Sequence, residues 1–193
     1  MNKLKINNKG LSLLELILSI FLLSILSLGI IILFNLYKDY QSITPISISR
    51  SIIKKSHSES LSILKQNILE AQNILSSTTI NGQTYTTNNK TLILQLRSID
   101  NNQNIIIGNY DLVLFYVSST NPFILFQKII PSAYSARKNT NAVINNMVKN
   151  INFEYNTPEP KDANLIKISL ETSNNFSGKE ITESSYITIK LNK

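Results

Sequence analysis

The side chains that could perform chemistry are few and scattered in this 193-residue chain. It has no cysteine, which excludes a disulfide scaffold, a thiolate zinc site and a cysteine nucleophile. His57 is the only histidine, so histidine-rich metal sites are excluded as well. The sequence contains no glycine-rich phosphate loop, no nucleophile elbow and no D-x-D calcium pattern. The acids of the C-terminal half are dispersed: Asp100, Asp111, Glu154, Glu159, Asp162, Glu171, Glu180 and Glu183. We therefore expect no enzyme activity, no cofactor and no metal.

One acid, Glu15, stands out because of its surroundings. It opens the stretch Leu16 to Tyr37, which has no charged residue and is dominated by Leu, Ile and Phe. A charge in the hydrocarbon region of a bilayer costs roughly 2.5 kcal/mol or more and usually marks a function. A plain membrane anchor leaves this acid unexplained, unless Glu15 simply lies at the interface and is solvated by lipid headgroups.

The uncharged stretch has the length and the flanks of a membrane span. As a helix, 22 residues extend about 33 Å, which is enough to cross a bilayer. Lys3, Lys5 and Lys9 precede it, whereas Lys38 is followed at once by Asp39. The positive-inside rule then predicts a cytoplasmic N-terminus and an exported remainder. A secretory signal would have a shorter apolar region of about 7–15 residues and a small-residue cleavage site, which this segment lacks.

The residues before the span form an ordered motif at positions 9–15, K-G-L-S-L-L-E. A short basic leader ends in Gly10, an apolar residue follows, and Glu15 comes four places later, directly before the span. This order resembles the prepilin-type cleavage and methylation signal of type IV pilins and of the pseudopilins of type II secretion. The resemblance covers residues 1 to about 37.

The resemblance implies a role for three residues. Gly10 would be the last leader residue, removed by a membrane-embedded prepilin peptidase on the cytoplasmic side; a residue without a side chain suits a protease cleft. Leu11 would become the new N-terminus and be N-methylated by the same enzyme, although phenylalanine is commoner there. Glu15 would pair with the N-terminal amine of a neighbouring subunit during assembly, because a carboxylate in lipid needs a positive partner.

Serines recur along the same side of the span. Ser12, Glu15 and Ser19 fall on one face, with Ser27 adjoining, which permits close helix approach and hydrogen bonding between helices. The abundance of serine throughout the chain is the alternative explanation.

A second helical pattern follows the span. Pro45 predicts a bend or register break near 41–47. Apolar residues at three- and four-residue steps then predict an amphipathic helix over 49–76 that covers a sheet. They are Leu61, Leu64, Ile68, Ala71 and Leu75. We expect His57 and the pair Lys54-Lys55 to be solvated.

Beyond about residue 78 the pattern is that of strands. The apolar runs are Thr91 to Leu96, Ile105 to Ile107, Leu112 to Val117 and Phe123 to Ile130. Leu112 to Val117 is apolar at every position, which predicts a central strand covered on both faces. Two alternating segments, 166–170 and 187–191, predict a closing antiparallel pair.

The linking segments carry turn signals. Asn81-Gly82 and Gly108-Asn109 predict turns between strands. The polar segment 132–150 is expected to be irregular, with a short helix from Ala142 to Lys149 as one option.

Together these patterns predict an α+β, pilin-like fold: a long N-terminal helix, first transmembrane and then amphipathic, packed on an antiparallel β-sheet head. The expected divisions are a leader (1–10), a membrane helix (11–38), its amphipathic extension (39–76) and a β-rich head (77–193). The head resembles, more loosely, J-type pseudopilins and W-type minor pilins. That resemblance rests on Ile130-Pro131, Ser135-Ala136-Arg137, Ile151-Asn152-Phe153 and the closing pair of strands, which do not separate pilus from secretion systems.

The sequence thus suggests a minor pilin or pseudopilin, a structural subunit of the inner membrane whose partners are prepilin peptidase and other pilin-type subunits. The alternative is a monomeric single-span protein whose exported head binds a ligand; leader processing distinguishes the two. Nucleic acid is an unlikely partner. A basic aromatic patch could form from Arg137-Lys138, Lys149, Tyr134 and Phe153, but the first ten residues hold three of the 19 Lys and Arg residues and none of the 12 acids, so much of the formal +7 belongs to the leader.

Overall fold

The computed structural model describes residues 13–176 and 178–191, and the side chains of 41–45 are not considered. The helix and strands are α1 (Leu13–Glu70), β1 (Ala71–Ile74), β2 (Ser77–Ile80), β3 (Gln83–Thr86), β4 (Thr91–Ile99), β5 (Ile105–Val117), β6 (Leu125–Ile130), β7 (Thr140–Asn145), β8 (Val148–Tyr155), β9 (Leu165–Phe176) and β10 (Lys179–Lys190). The chain divides into two compact units at Ser47 and Ile48. The expected α+β, pilin-like fold is confirmed.

The N-terminal unit is helical throughout its described residues. The backbone remains helical through residues 41–47, so the register break expected at Pro45 is absent. A proline inside a helix removes one backbone hydrogen bond, and neighbouring turns can retain the helix around that loss.

The part of α1 in the second unit has one buried face, as its apolar spacing predicts. Buried residues recur at steps of three and four: Ser49, Ile53, His57, Ser60, Leu64 and Ile68. The predicted end of this helix at residue 76 is wrong, because the helix ends at Glu70 and Ala71–Ile74 forms β1. A bulge between Ala71 and Asn73 turns Ala71 and Ile74 to the same buried side. Their spacing of three in a bulged strand therefore imitates the helical period.

In the described residues of the second unit, all strand pairs are antiparallel. Five strands form one sheet in the order β1-β4-β5-β6-β7, three form another in the order β10-β9-β8, and β2 and β3 form a hairpin. One core joins α1 to both larger sheets through side chains such as Leu64, Phe115, Phe153 and Ile168. The predicted pairing of the two last strands is confirmed, with Ile168 opposite Ile187.

The predicted central strand is confirmed in β5. Val113, Leu114 and Phe115 are buried in succession, so both faces of this segment are covered. On one face Phe115 belongs to the main core. On the other, the β2–β3 hairpin contributes Tyr85, whose ring centroid lies 5.6 Å from that of Tyr116.

One of the two predicted turns is correct and the other is wrong. Asn81 and Gly82 have φ angles of 51° and 80° and join β2 to β3, as expected for a type I′ hairpin turn. Gly108 and Asn109 lie inside β5, which includes both Ile105 to Ile107 and the central run. There the ladder with β4 skips residues 106–109, which form a bulge.

The optional helix from Ala142 to Lys149 is also wrong. Thr140–Asn145 is β7 and β8 begins at Val148. Val143 and Ile144 are β-branched and favour a strand, and β7 pairs with β6 at the edge of the sheet. The Asn145 side chain accepts a hydrogen bond from the Met147 N–H at 2.8 Å, which stabilises the connection between the strands.

Candidate functional site

The first part of α1 has the properties of a membrane anchor. Leu13–Tyr40 contains a segment with a mean hydropathy of 3.0, and none of that segment is buried. Every side chain in this range is exposed to the surroundings. At about 1.5 Å per residue its 28 residues exceed the roughly 30 Å of a bilayer core. The helix is therefore long and apolar enough to cross a membrane, and lipid or other helices would cover its side chains.

Glu15 lies in the first turn of the described helix. Exposed leucines surround it at positions 13, 14 and 16. Gly10 and Leu11, the positions implied for cleavage and methylation, lie outside the described residues.

The serines of the apolar helix bond to their own backbone. The Ser19 hydroxyl donates to the Glu15 carbonyl at 2.7 Å, and the Ser27 hydroxyl donates to the Leu23 carbonyl at 2.8 Å. Because these hydroxyls are satisfied within the helix, they can lie in lipid without a partner from another helix. The predicted serine stripe thus remains a set of small side chains that permit close packing; Ser12 lies outside the described residues.

A buried polar network joins α1 to the C-terminal strands, and its centre is His57. Its side chain is only 5% exposed, so the expectation that it is solvated is wrong. Its Nδ1 lies 3.1 Å from Thr172 Oγ1 on β9, and its Nε2 lies 2.7 Å from Ser185 Oγ on β10. The Asn145 amide of β7 donates to Ser60 Oγ on α1 at 3.0 Å. One helix face is thereby tied to both sheets.

Burial lowers the pKa of His57 below its ordinary value, although the charge of Glu183 acts in the opposite direction. The ring is therefore neutral near pH 7. The sequence contained a signal for this position, because His57 continues the four-residue spacing of Ser49 and Ile53 along the buried face.

A second network surrounds the buried carboxylate of Asp111. Its Oδ2 accepts from Arg137 Nη1 at 2.7 Å and from the Ser135 hydroxyl at 2.7 Å. Its Oδ1 accepts from the Ser132 N–H at 2.8 Å and the Ser98 hydroxyl at 2.7 Å. Burial alone would raise the pKa of Asp111, but these donors outweigh it and hold the pKa below its ordinary value. The carboxylate is ionised and both of its oxygens accept hydrogen bonds, as expected for a buried group that stabilises the fold.

Arg137 connects this network to the end of α1. Its Nη2 lies 3.3 Å from Glu70 Oε2. The segment Ser135-Ala136-Arg137, which resembled that of minor subunits, therefore fixes the loop after β6 to the helix and to β5.

Three of the residues considered for a basic aromatic patch are engaged elsewhere in the fold. Arg137 is engaged by Asp111 and Glu70, and Lys149 by Glu171 and Glu180. Phe153 is buried in the core, and Tyr134 is exposed. Among the described residues no group of three or more His, Cys, Asp and Glu side chains has the arrangement of a metal site.

Comparison with known proteins adds one match. Residues 5–31 match the family described as "Prokaryotic N-terminal methylation motif", the signal of type IV pilins and pseudopilins. This range includes Gly10, Leu11 and Glu15 and ends within the apolar helix, and it confirms the resemblance seen in the sequence. No curated protein and no solved structure matches the chain.

Proposed function

We propose that the chain is a structural subunit of the pilin and pseudopilin type, cut by prepilin peptidase after Gly10 and assembled through its N-terminal helix into a type IV pilus or type II secretion pseudopilus. The observation that carries this proposal is the match over residues 5–31, which runs directly into the unburied apolar helix Leu13–Tyr40. The signal is that of structural pilin-like proteins, which are not enzymes.

Cleavage after Gly10 would change the charges at the N-terminal end of the membrane helix. It removes all three lysines of the leader and creates an amine on Leu11, four residues before Glu15. Before assembly the subunit is held in the inner membrane with the head exported, as the positive-inside rule predicts. During assembly the carboxylate of Glu15 meets the N-terminal amine of a neighbouring subunit. The attraction between the two charges offsets the cost of removing water from both.

The apolar helix suits repeated removal from lipid into a bundle of like helices. Its serine hydroxyls are already satisfied by backbone carbonyls, so they require no rearrangement when lipid is exchanged for another helix. The charge of Glu15, at the start of the uncharged stretch, then helps to distinguish one register of neighbouring helices from another.

The experiment that tests the proposal is the mass and N-terminal sequence of the protein from the membranes of its own cells. We expect a chain that begins at N-methylated Leu11. A chain that begins at Met1 would reject the proposal in favour of a monomeric single-span protein whose exported head binds a ligand. The sequence favoured a minor subunit over a major one. Whether several copies follow one another in the filament depends on the surfaces of the head.

A further inference from the structure

The β5 strand carries an apolar bulge at its first end. Arg97 and Ile99 of β4 pair with Tyr110 and Ile105, so residues 106–109 of β5 have no counterpart in the ladder except Ser98. Ile107 at the bulge is 94% exposed, the largest exposure among the large apolar side chains of the described residues. Gly108 has a φ of 79°, which lets the strand return to the sheet. The bulge therefore exposes the side chain of Ile107 to the surroundings.

Other apolar side chains are exposed at the same end of the head. Ile105 and Tyr110 flank the bulge and are exposed. Tyr134, also exposed, belongs to the loop whose Ser132 and Ser135 bind Asp111 beside Tyr110. Aromatic and large apolar side chains beside an arginine, here Arg97, are typical of the centre of a protein interface.

The other end of β5 carries a groove. Its volume is about 410 Å³, and it lies between the β5–β6 loop and the first part of β10. Phe123, which is 56% exposed, and Met147 form its apolar walls. The amides of Asn121, Asn146, Asn174 and Asn175 and the carboxylate of Glu180 provide hydrogen-bonding groups.

We propose that the bulge of one copy of this chain inserts into the groove of the next copy, so that heads stack end to end. From Ile107 to the end of β5 at Val117 the strand advances by about ten residues, or roughly 30 Å. Because they lie at opposite ends of one strand, copies in the same orientation can join by translation. A contact between two different surfaces of this kind leaves each copy with one surface free and produces an open filament.

The chemistry of the two surfaces is complementary. Ile107 gains apolar contact with Phe123 and Met147. The backbone of residues 106–109, which lies outside the ladder, gains the groove amides, which donate and accept hydrogen bonds. Arg97 at the base of the bulge and Glu180 at the groove have opposite charges. Glu180 can exchange partners, because Lys149, which holds it at 3.0 Å, also holds Glu171 at 3.2 Å.

The proposal rests on the proposed function for the parallel orientation of the copies, and it deepens that function by naming the partner as a second copy. A chain that contacts itself in this way occurs in consecutive copies, which replaces the minor role that the sequence favoured.

The absence of cysteine allows a direct test by disulfide trapping in native membranes. The variant Ile107→Cys with Phe123→Cys, expressed as the full chain, should form a ladder of dimers, trimers and longer products on mild oxidation. Each single variant provides a baseline, and Ile107→Cys with Tyr186→Cys is the matched control, because Tyr186 is also exposed but does not line the groove. Labelling of the thiols without oxidant checks that the introduced cysteines are accessible in all variants.

The outcomes separate the contact from the function. A ladder confined to the first pair supports the contact. No ladder, an equal ladder in the control, or a product with a chain of different mass overturns it. The mass of the same samples reports processing: a chain from Leu11 without a ladder rejects only the contact, whereas a chain from Met1 rejects the proposed function whatever the ladder shows.

A second variant tests the contact without cysteines. Ile107→Asp should lower the multimer fraction obtained with an amine cross-linker by about tenfold or more, since a charge would enter an apolar contact. Ile107→Val should retain it. Because Ile107 is almost fully exposed, neither change is expected to unfold the head. Equal multimer fractions in both variants would overturn the proposal.

Discussion

His57 Nδ1 lies 3.1 Å from Thr172 Oγ1, which joins α1 to a strand 115 residues later in the chain. With Ser185 on the other ring nitrogen, both nitrogens of the buried imidazole are occupied by neutral hydroxyls. The face of α1 that covers the sheets is thus held by specific hydrogen bonds as well as by apolar packing, and the protonation of one ring affects how firmly it is held.

The head should lose stability in mild acid because of His57. Burial lowers the pKa of the folded ring below its ordinary value of 6.5, so between the two values the unfolded chain binds more protons than the folded chain. The stability that the neutral His57 ring contributes is therefore fully present above pH 6.5. It falls as the pH drops towards the pKa of His57 in the folded chain. Glu183 is the charged group that opposes this shift.

The measurement is thermal unfolding of the full chain in detergent across this pH range. His57→Asn, which keeps a hydrogen-bonding side chain but does not titrate, should remove the loss just below pH 6.5. Glu183→Gln should deepen the loss, because the pKa of His57 would then fall further. An unchanged pH profile in His57→Asn would contradict the account.

Asp111→Asn should destabilise the head by about 2–4 kcal/mol. The change leaves the guanidinium of Arg137, whose side chain is 18% exposed, without its main partner. The cost is below that of a fully buried pair because Arg137 still reaches water and Glu70. Chemical denaturation of the full chain measures it.

The matched control is Glu70→Gln, which removes the other acidic partner of Arg137. Glu70 is the more exposed acid, and a surface pair contributes at most about 1 kcal/mol. If both variants were equally destabilised, the burial of Asp111 would not be the source of its effect.

The parts of the fold that follow from local patterns were predictable from the sequence. The motif at residues 9–15, the apolar span and the alternating closing strands depend on the order of neighbouring residues, and each was identified correctly or confirmed by the family match. Asn81-Gly82 specifies its turn for the same reason, because the two residues adopt positive φ at little cost.

The errors lie where distant residues decide the structure. Ala71 and Ile74 have helical spacing, yet pairing with β4 and a bulge place them in a strand. Gly108 has the properties of a turn residue. Pairing with β4 at Ile105 before it and at Tyr110 after it makes it part of a bulge instead. His57 is polar, and only the hydroxyls of Thr172 and Ser185 make its burial possible. The helical spacing of His57 indicated the buried face, but the partners that fix all three positions lie on other elements of the fold, and local patterns did not identify them.

Gly10→Phe should leave an uncleaved precursor in the inner membrane. If Gly10 is the last leader residue, as proposed, a bulky side chain there would prevent the backbone from lying flat in the protease cleft. The mass of the membrane protein should then correspond to a chain that retains residues 1–10. Gly10→Ala, which adds the smallest side chain, should be cut more slowly rather than not at all. Normal cleavage of Gly10→Phe would show that the glycine is not the recognised position.

Glu15→Leu should be cleaved almost normally but should enter filaments poorly. The peptidase is proposed to act at Gly10 and the carboxylate of Glu15 to pair with an amine during assembly, so the two steps should separate. Comparing the fraction of processed chain in membranes with the fraction in sheared filaments measures each step in one culture. Glu15→Asp keeps the charge at a slightly shorter reach and should retain part of the assembly, which distinguishes loss of charge from loss of packing. If Glu15→Leu assembles as well as the unaltered chain, charge pairing does not guide the subunit into the filament, and the helix enters by apolar packing alone.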